Sequence, residues 1–290
     1  MINHSYEHRW VRTHNVLQRL RGLRKPRHLM SLILTRTPLA SLLTMQIGDV
    51  RLGCFPSSIS AGIWENPTAY SSDLDFLRRY LRPDDVFVDV GANIGYLSIT
   101  AAKAVGPGGQ VFSFEAHPRI SAYLEKNVAL NRLSNTVVRN LALGNTNGVV
   151  DLCECPGDDS QSWVAQGRGA FSVPMMCLDD ALRDLRSAVA LLKVDVEGYE
   201  KFVLEGAGRI LSSVMCIYIE CSAQNFSRYG YGPETLLAFL TKAGFTLYRR
   251  EYEVCWPIIT KYIPTSICEN LIGVRCSSEF FNRTGYSLGS

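Results

Sequence analysis

The chain has 290 residues, 47% of them hydrophobic and 20% charged, enough for one sizeable core with terminal additions and too few for two ordinary enzyme domains joined by a linker. The formal net charge is +3, but residues 1–36 hold eight Lys/Arg and one Glu, so a basic arm precedes a mildly acidic remainder. Arg36 and Pro38 interrupt the apolar run Leu29–Leu34 well short of the roughly 20 residues that a membrane span needs, and no cleavage pattern marks a secretory signal. Nine cysteines at irregular spacings, the nearest pair being Cys153 and Cys155, do not form a paired C-x-x-C zinc pattern. Their odd number predicts reduced, mostly buried thiols in a cytoplasmic protein.

In chain order, the arm reads as a basic helix. Residues 9–36 carry eight basic and no acidic side chains among Trp10, Leu17 and Leu20. Such a helix suits peripheral contact with an anionic membrane, or else lies along the core or against a dimer partner with its charges in water. Residues 44–66 read as short strands and turns ending at Ile63-Trp64-Glu65. A helix over Asp73–Leu81 is stopped by Arg82-Pro83.

A regular alternation follows. Strand Val86–Val90 leads to helix Ile94–Val105, strand Gln110–Phe114 to helix Pro118–Asn131, and Thr136–Leu143 is a third strand. Residues 144–177 break the rhythm and read as an antiparallel ribbon with a loop over one end of the sheet, where substrate contacts are expected. The alternation resumes with strand Val189–Val194, helix Tyr199–Leu211, strand Met215–Glu220, helix Pro233–Lys242 and strand Phe245–Arg249, with a final strand over Asn270–Arg275. Alternating elements of this kind indicate βαβ units and a parallel sheet.

The segment Asp89-Val90-Gly91-Ala92-Asn93-Ile94-Gly95 joins the first core strand directly to a helix. Its glycines let the backbone turn sharply and approach a ligand, while the helix start offers unpaired N–H groups. A dinucleotide fold prefers G-x-G-x-x-G to seat a pyrophosphate, whereas Asp89, Gly91, Asn93 and Gly95 place an acid before a G-x-x-x-G turn. An acid there repels a pyrophosphate and suits the amino end of S-adenosylmethionine. Tyr96, next in sequence, rests against the cofactor or simply packs. Strand Val111–Phe114 ends in Glu115, placed to accept from both ribose hydroxyls, or alternatively to cap the next helix. Asn140 is placed to face the adenine amino group, with neighbouring backbone amides as far as Ala142 turned to a ring nitrogen; the competing reading makes Asn140 a turn-former.

These residues, with Phe114-Glu115 and Pro118, Ala142-Leu143-Gly144, Lys193-Val194-Asp195-Val196-Glu197-Gly198-Tyr199-Glu200 and Gly206-Ala207, resemble the FkbM-type methyltransferase family over roughly residues 63–275. The resemblance implies a class I methyltransferase Rossmann-like α/β fold: a mostly parallel seven-stranded sheet with its last strand antiparallel and helices on both faces. It also implies methyl transfer from S-adenosylmethionine, commonly to a hydroxyl. The expected division is an arm with short strands over 1–62 and a methyltransferase domain over 63–290. One departure from the family is Glu115-Ala116-His117-Pro118, where proline usually follows the acid directly.

Such a transfer needs an aligned acceptor oxygen and a group to take its proton. Lys193, Asp195 and Glu197 would share one face if the strand stays extended, and a buried strand rarely carries three charges without a use for them. Asp195 is the leading base or aligning group, Lys193 its partner, and Glu197 an acceptor for a substrate hydroxyl or an anchor for the helix start. Glu220 is a second carboxylate across the sheet. The alternative for all of them is a self-contained ion-pair network. The five histidines read as solvated, no metal-ligand cluster is evident, and the interleaved Arg228-Tyr229-Gly230-Tyr231 and Tyr248-Arg249-Arg250 are candidates for an acceptor groove. The expected partner is a hydroxyl-bearing small molecule, sugar or lipid-linked acceptor. The acidic core and the lack of an Asp/Asn-Pro-Pro-Tyr/Phe segment argue against nucleic-acid base methylation, leaving ribose methylation and a non-catalytic cofactor-binding module as alternatives.

Overall fold

The structure, a computed structural model, describes residues 43–155, 158–258 and 268–289. The helix expected over residues 9–36 lies outside them. The described chain opens with a hairpin, β1 (Thr44–Ile47) and β2 (Val50–Gly53), then helices α1 (Ser58–Glu65) and α2 (Ser71–Tyr80). Strands and turns expected as far as residue 66 therefore end at Gly53. The Ser57 hydroxyl accepts the Ser60 N–H at 3.1 Å, and this N-cap starts a helix whose Ile59 and Ile63 fall one turn apart. The boundary expected after residue 62 falls inside α1. Met45, Leu52, Phe55 and Ile63 share a core with Tyr96, Ile99 and Leu124.

The alternation then runs β3 (Val86–Val90), α3 (Tyr96–Val105), β4 (Gln110–Glu115), α4 (Pro118–Leu130) and β5 (Thr136–Asn140). The third strand was expected to continue to residue 143. Instead, β6 (Ala142–Leu143) leaves the main sheet and joins β7 (Gly148–Cys155), β8 (Asp158–Val164) and β9 (Phe171–Met176) in a second sheet of order β6-β9-β7-β8. Next come α5 (Leu178–Ala181), β10 (Val189–Val194), α6 (Glu200–Glu205) and α7 (Gly208–Ser213). Expected as one helix, α6 and α7 part at Gly206, where any Cβ would stand 2.0 Å from the Gly144 carbonyl oxygen. The Asp179 carboxylate then starts α7 by accepting the N–H groups of Arg209 and Ile210, each at 2.8 Å. The chain finishes with β11 (Val214–Cys221), α8 (Ala223–Ser227), α9 (Pro233–Lys242), β12 (Thr246–Glu251), β13 (Val254–Pro257), β14 (Glu269–Val274), α10 (Ser277–Thr284) and β15 (Ser287–Leu288).

The main sheet has the order β15-β13-β12-β14-β11-β10-β3-β4-β5. Its seven central strands are those expected, with β14 antiparallel to both β11 and β12, and β13 and β15 extend one edge. Alternate residues of β3 face opposite cores: Val86, Val88 and Val90 join Leu192, Val194, Val203 and Ile210 on one side, while Phe87 joins Phe76, Leu77, Ala102 and Phe280 on the other. Helices cover both faces. Strand order reverses between the parallel neighbours β3 and β10, which opens a crevice at their carboxyl ends. Among the described residues, no helix is long and apolar enough to cross a membrane.

Candidate active site

Asp89 is fully buried on β3, in register with Lys193 of β10. The Ser98 hydroxyl donates to Asp89 Oδ2 at 2.5 Å, and Lys193 Nζ stands 3.3 Å from Oδ1. Lys193 also donates to the Gly91 carbonyl at 3.0 Å and lies 3.5 Å from Asp195 Oδ2. Burial alone would depress this ammonium, but the carboxylates of Asp89 and Asp195 outweigh burial and hold it above its ordinary value. Asp89, expected to suit the amino end of a cofactor, borders the crevice with Oδ2 accepting from Ser98 and Oδ1 beside Lys193.

The turn after β3 is built by close approaches. Gly91 and Ala92 both donate to the Phe114 carbonyl at 3.0 Å. Gly91 has φ +77°, and a Cβ there would stand 1.8 Å from the Asp195 carbonyl oxygen, so only glycine lets the ends of β3 and β10 meet. Asn93, with φ +49°, donates its N–H to Glu115 Oε2 at 2.8 Å, and the His117 N–H reaches Oε1 at 2.9 Å. Burial raises the Glu115 pKa against these two donors, and each oxygen keeps a lone pair for a ligand. Tyr96 borders the crevice while packing with Ile94 and Ile99, its ring edge-on to Tyr70.

His117 and Asn140 differ from expectation. His117 is buried rather than solvated because it caps α4: its Nδ1 accepts the Arg119 N–H at 3.1 Å, which leaves Nε2–H to donate to Glu154. Asn140 does not border the crevice. Its amide donates to the carbonyls of Glu115 and Ala116, both at 2.8 Å, and so braces the loop that follows β4. Ala142 does border the crevice, in a small apolar patch with Ala116, Leu152 and Met175.

The acidic edge lies where β10 and β11 end. Lys193 and Asp195 share a face as expected. Glu197 reaches the site through a turn, because β10 stops at Val194 and Glu197 takes φ +56°. Glu200, fully buried and given no role in the sequence reading, holds that turn by accepting the N–H groups of Val196 at 2.9 Å and Gly198 at 3.3 Å. The Asn225 amide donates to Glu197 Oε2 at 3.0 Å and reaches Glu220 Oε2 at 3.5 Å, and the Cys268 thiol donates to Glu220 Oε1 at 2.8 Å. Burial, then the neighbouring Glu220 and Asp195, push Glu197 up to about 8. Burial and Asp195 push Glu220 up to about 7.

Asp89, Glu115, Lys193, Asp195, Glu197 and Glu220 border one cavity of about 300 Å³. Its lining also includes Gln161–Val164 of β8, Ile59 and Ile63 of α1, Tyr70 at the start of α2, and Asp73 of α2. The region 144–177 thus supplies a wall, as expected. Arg228 lies over the Trp163 ring at 4.5 Å and donates to the Glu197 carbonyl at 2.8 Å, while Tyr229 donates to the Val164 carbonyl at 2.8 Å, so α8 and its loop staple β8 to the Glu197 turn. Trp163, Asp73, Tyr218 and Asn225 carried no sequence signal, because only the tertiary fold brings them to the strand ends.

The Methyltransferase FkbM domain model matches residues 89–247, from the buried Asp89 through β12. The chain belongs to the FkbM methyltransferase family. Proteins similar to it include 2-O-methyltransferase NoeI of Sinorhizobium fredii, 28% identical over 162 residues, and hexuronic acid methyltransferase AglP of Haloferax volcanii, 28% identical over 163. The aligned regions cover 49% and 55% of this chain and 65% and 63% of those proteins, so the chain spans less than two thirds of their length. Among solved structures, methyltransferase FkbM from Methylobacillus flagellatus superposes with a TM-score of 0.43 at 15% identity, covering 74% of this chain and 53% of that one.

Proposed function

We propose that the chain transfers a methyl group from S-adenosylmethionine to a hydroxyl oxygen of a small-molecule, sugar or lipid-linked acceptor. The observation that carries this reading is the Lys193 bridge, which ties Asp89 beneath the glycine turn to Asp195 at the crevice. Family membership and the similarity to 2-O-methyltransferase NoeI and hexuronic acid methyltransferase AglP support it. The residues present fit the cofactor: Glu115 keeps lone pairs for the ribose, the turn from Gly91 to Gly95 leaves the backbone uncovered, and Ala116 and Ala142 offer an apolar surface to the adenine.

When bound, the cofactor supplies a methyl on positive sulfur: the acceptor oxygen forms the new C–O bond as the C–S bond breaks and leaves its electron pair on sulfur. Asp195 aligns the acceptor hydroxyl and takes its proton. Lys193 fixes the Asp195 carboxylate, and Glu197 and Glu220 hold neighbouring acceptor hydroxyls. Positioning supplies most of the gain, and a proton acceptor of this kind contributes about 10²–10⁴-fold. The test is methyl transfer from labelled S-adenosylmethionine to para-nitrophenyl hexosides. Asp195→Asn is expected to retain cofactor affinity within about tenfold and to lose turnover by about 10²-fold or more; full turnover would remove Asp195 from the chemistry.

A further inference from the structure

Six carboxyl side chains border the main cavity, Asp73, Asp89, Glu115, Asp195, Glu197 and Glu220, against the single cation Lys193 among the described residues. Lys193 is already shared between Asp89 and Asp195. An adjoining cleft of about 210 Å³, reached past Asp73, Tyr218 and Asn270, adds Arg249 and Arg250 but also Glu251 and Glu269. Arg249 Nε is 2.7 Å from Glu269 Oε2, and Arg250 donates to the Ser72 hydroxyl at 2.8 Å while lying over Phe76. Every one of these cations therefore already has a protein partner. An anionic group entering the main cavity would meet an excess of carboxyl groups, its one cation Lys193 being shared already between two of them.

The same cavity has features that welcome a neutral polyol. Glu197 and Glu220 stand side by side through the Asn225 amide, and burial with mutual repulsion keeps a proton on the pair near neutrality, so it both donates and accepts hydrogen bonds. Trp163 borders the cavity on β8, its ring braced by Arg228. An aromatic surface and a donor-and-acceptor pair suit a ring with an apolar C–H face and hydroxyl edges. Resting on the reading of this cavity as a methyl-transfer site, we infer that the acceptor is an uncharged sugar ring held by Trp163 and the Glu197–Glu220 pair, and that a ring bearing a carboxylate or phosphate is rejected.

The test uses the full chain with labelled S-adenosylmethionine and matched para-nitrophenyl hexosides and hexuronides of the same stereochemistry. The expected kcat/KM for a hexoside exceeds that of its paired hexuronide by about tenfold or more, and the double variant Glu197→Gln, Glu220→Gln narrows that ratio. Inhibition constants of the two sugars against the wild-type protein read the same preference, even if the double variant is inactive. Calorimetry with S-adenosylmethionine separates the two claims, since failure to bind it removes the methyl-transfer reading itself. With the cofactor bound, a hexuronide accepted as well as its hexoside, or label on neither sugar of any pair, overturns the inference.

Discussion

Lys193 and Asp89 face each other across the β10–β3 pair, one ammonium 3.3 Å from a carboxylate with no solvent exposure. Removing the cation leaves that carboxylate buried without a counter-charge, which costs about 3–5 kcal/mol. Lys193→Met is therefore expected to lower the stability read by urea unfolding by that amount. The double variant Lys193→Met, Asp89→Asn should recover most of it, because the remaining amide keeps its contact with Ser98. Equal losses in the single and double variants would show that the pair is not the source.

At Gly91 a methyl group has nowhere to go. The left-handed φ of +77° disfavours any side chain, and the Asp195 carbonyl stands where a Cβ would be. Gly91→Ala should destabilise by about 2 kcal/mol or more and should weaken S-adenosylmethionine binding by parting the ends of β3 and β10. Retained affinity in calorimetry would show that the turn does not shape the cofactor site.

The parallel sheet and the β3 turn were legible in the sequence because apolar strands, helix starts and glycines are local signals. Asp195 and Lys193 were legible for a similar reason, as charges in an apolar strand. Contacts that depend on tertiary approach were not. His117 reads as solvated or partner-facing until β7 brings Glu154 to it, and nothing local in the sequence shows that the Asn140 amide holds the loop after Glu115. Glu197 reached the expected site by a different path, since nothing local announces the turn that Glu200 secures.

Glu197 also gives stability a pH dependence. Folding raises its pKa from 4.5 to about 8, so between those values the folded chain binds more protons than the unfolded chain. Its contribution to stability is therefore lost as pH climbs through that window. Thermal unfolding of Glu197→Gln from pH 5 to pH 8 should show a smaller fall in Tm than the wild type. Parallel curves would place the titrating proton elsewhere, Glu220 being the next candidate.

In the proposed function this crevice holds S-adenosylmethionine through Glu115. Isothermal titration of the full chain with S-adenosylmethionine, repeated on Glu115→Ala, measures it. Two ribose hydrogen bonds to a buried carboxylate are worth roughly 2–4 kcal/mol, so affinity should fall by about 30-fold or more. Thermal unfolding of the same variant shows whether the Asn93 and His117 N–H groups that lose their acceptor have also loosened the fold. Saturable binding by the wild type, weakened to that extent in a folded Glu115→Ala, is the predicted result; no binding by the wild type, or unchanged affinity in the variant, would contradict it.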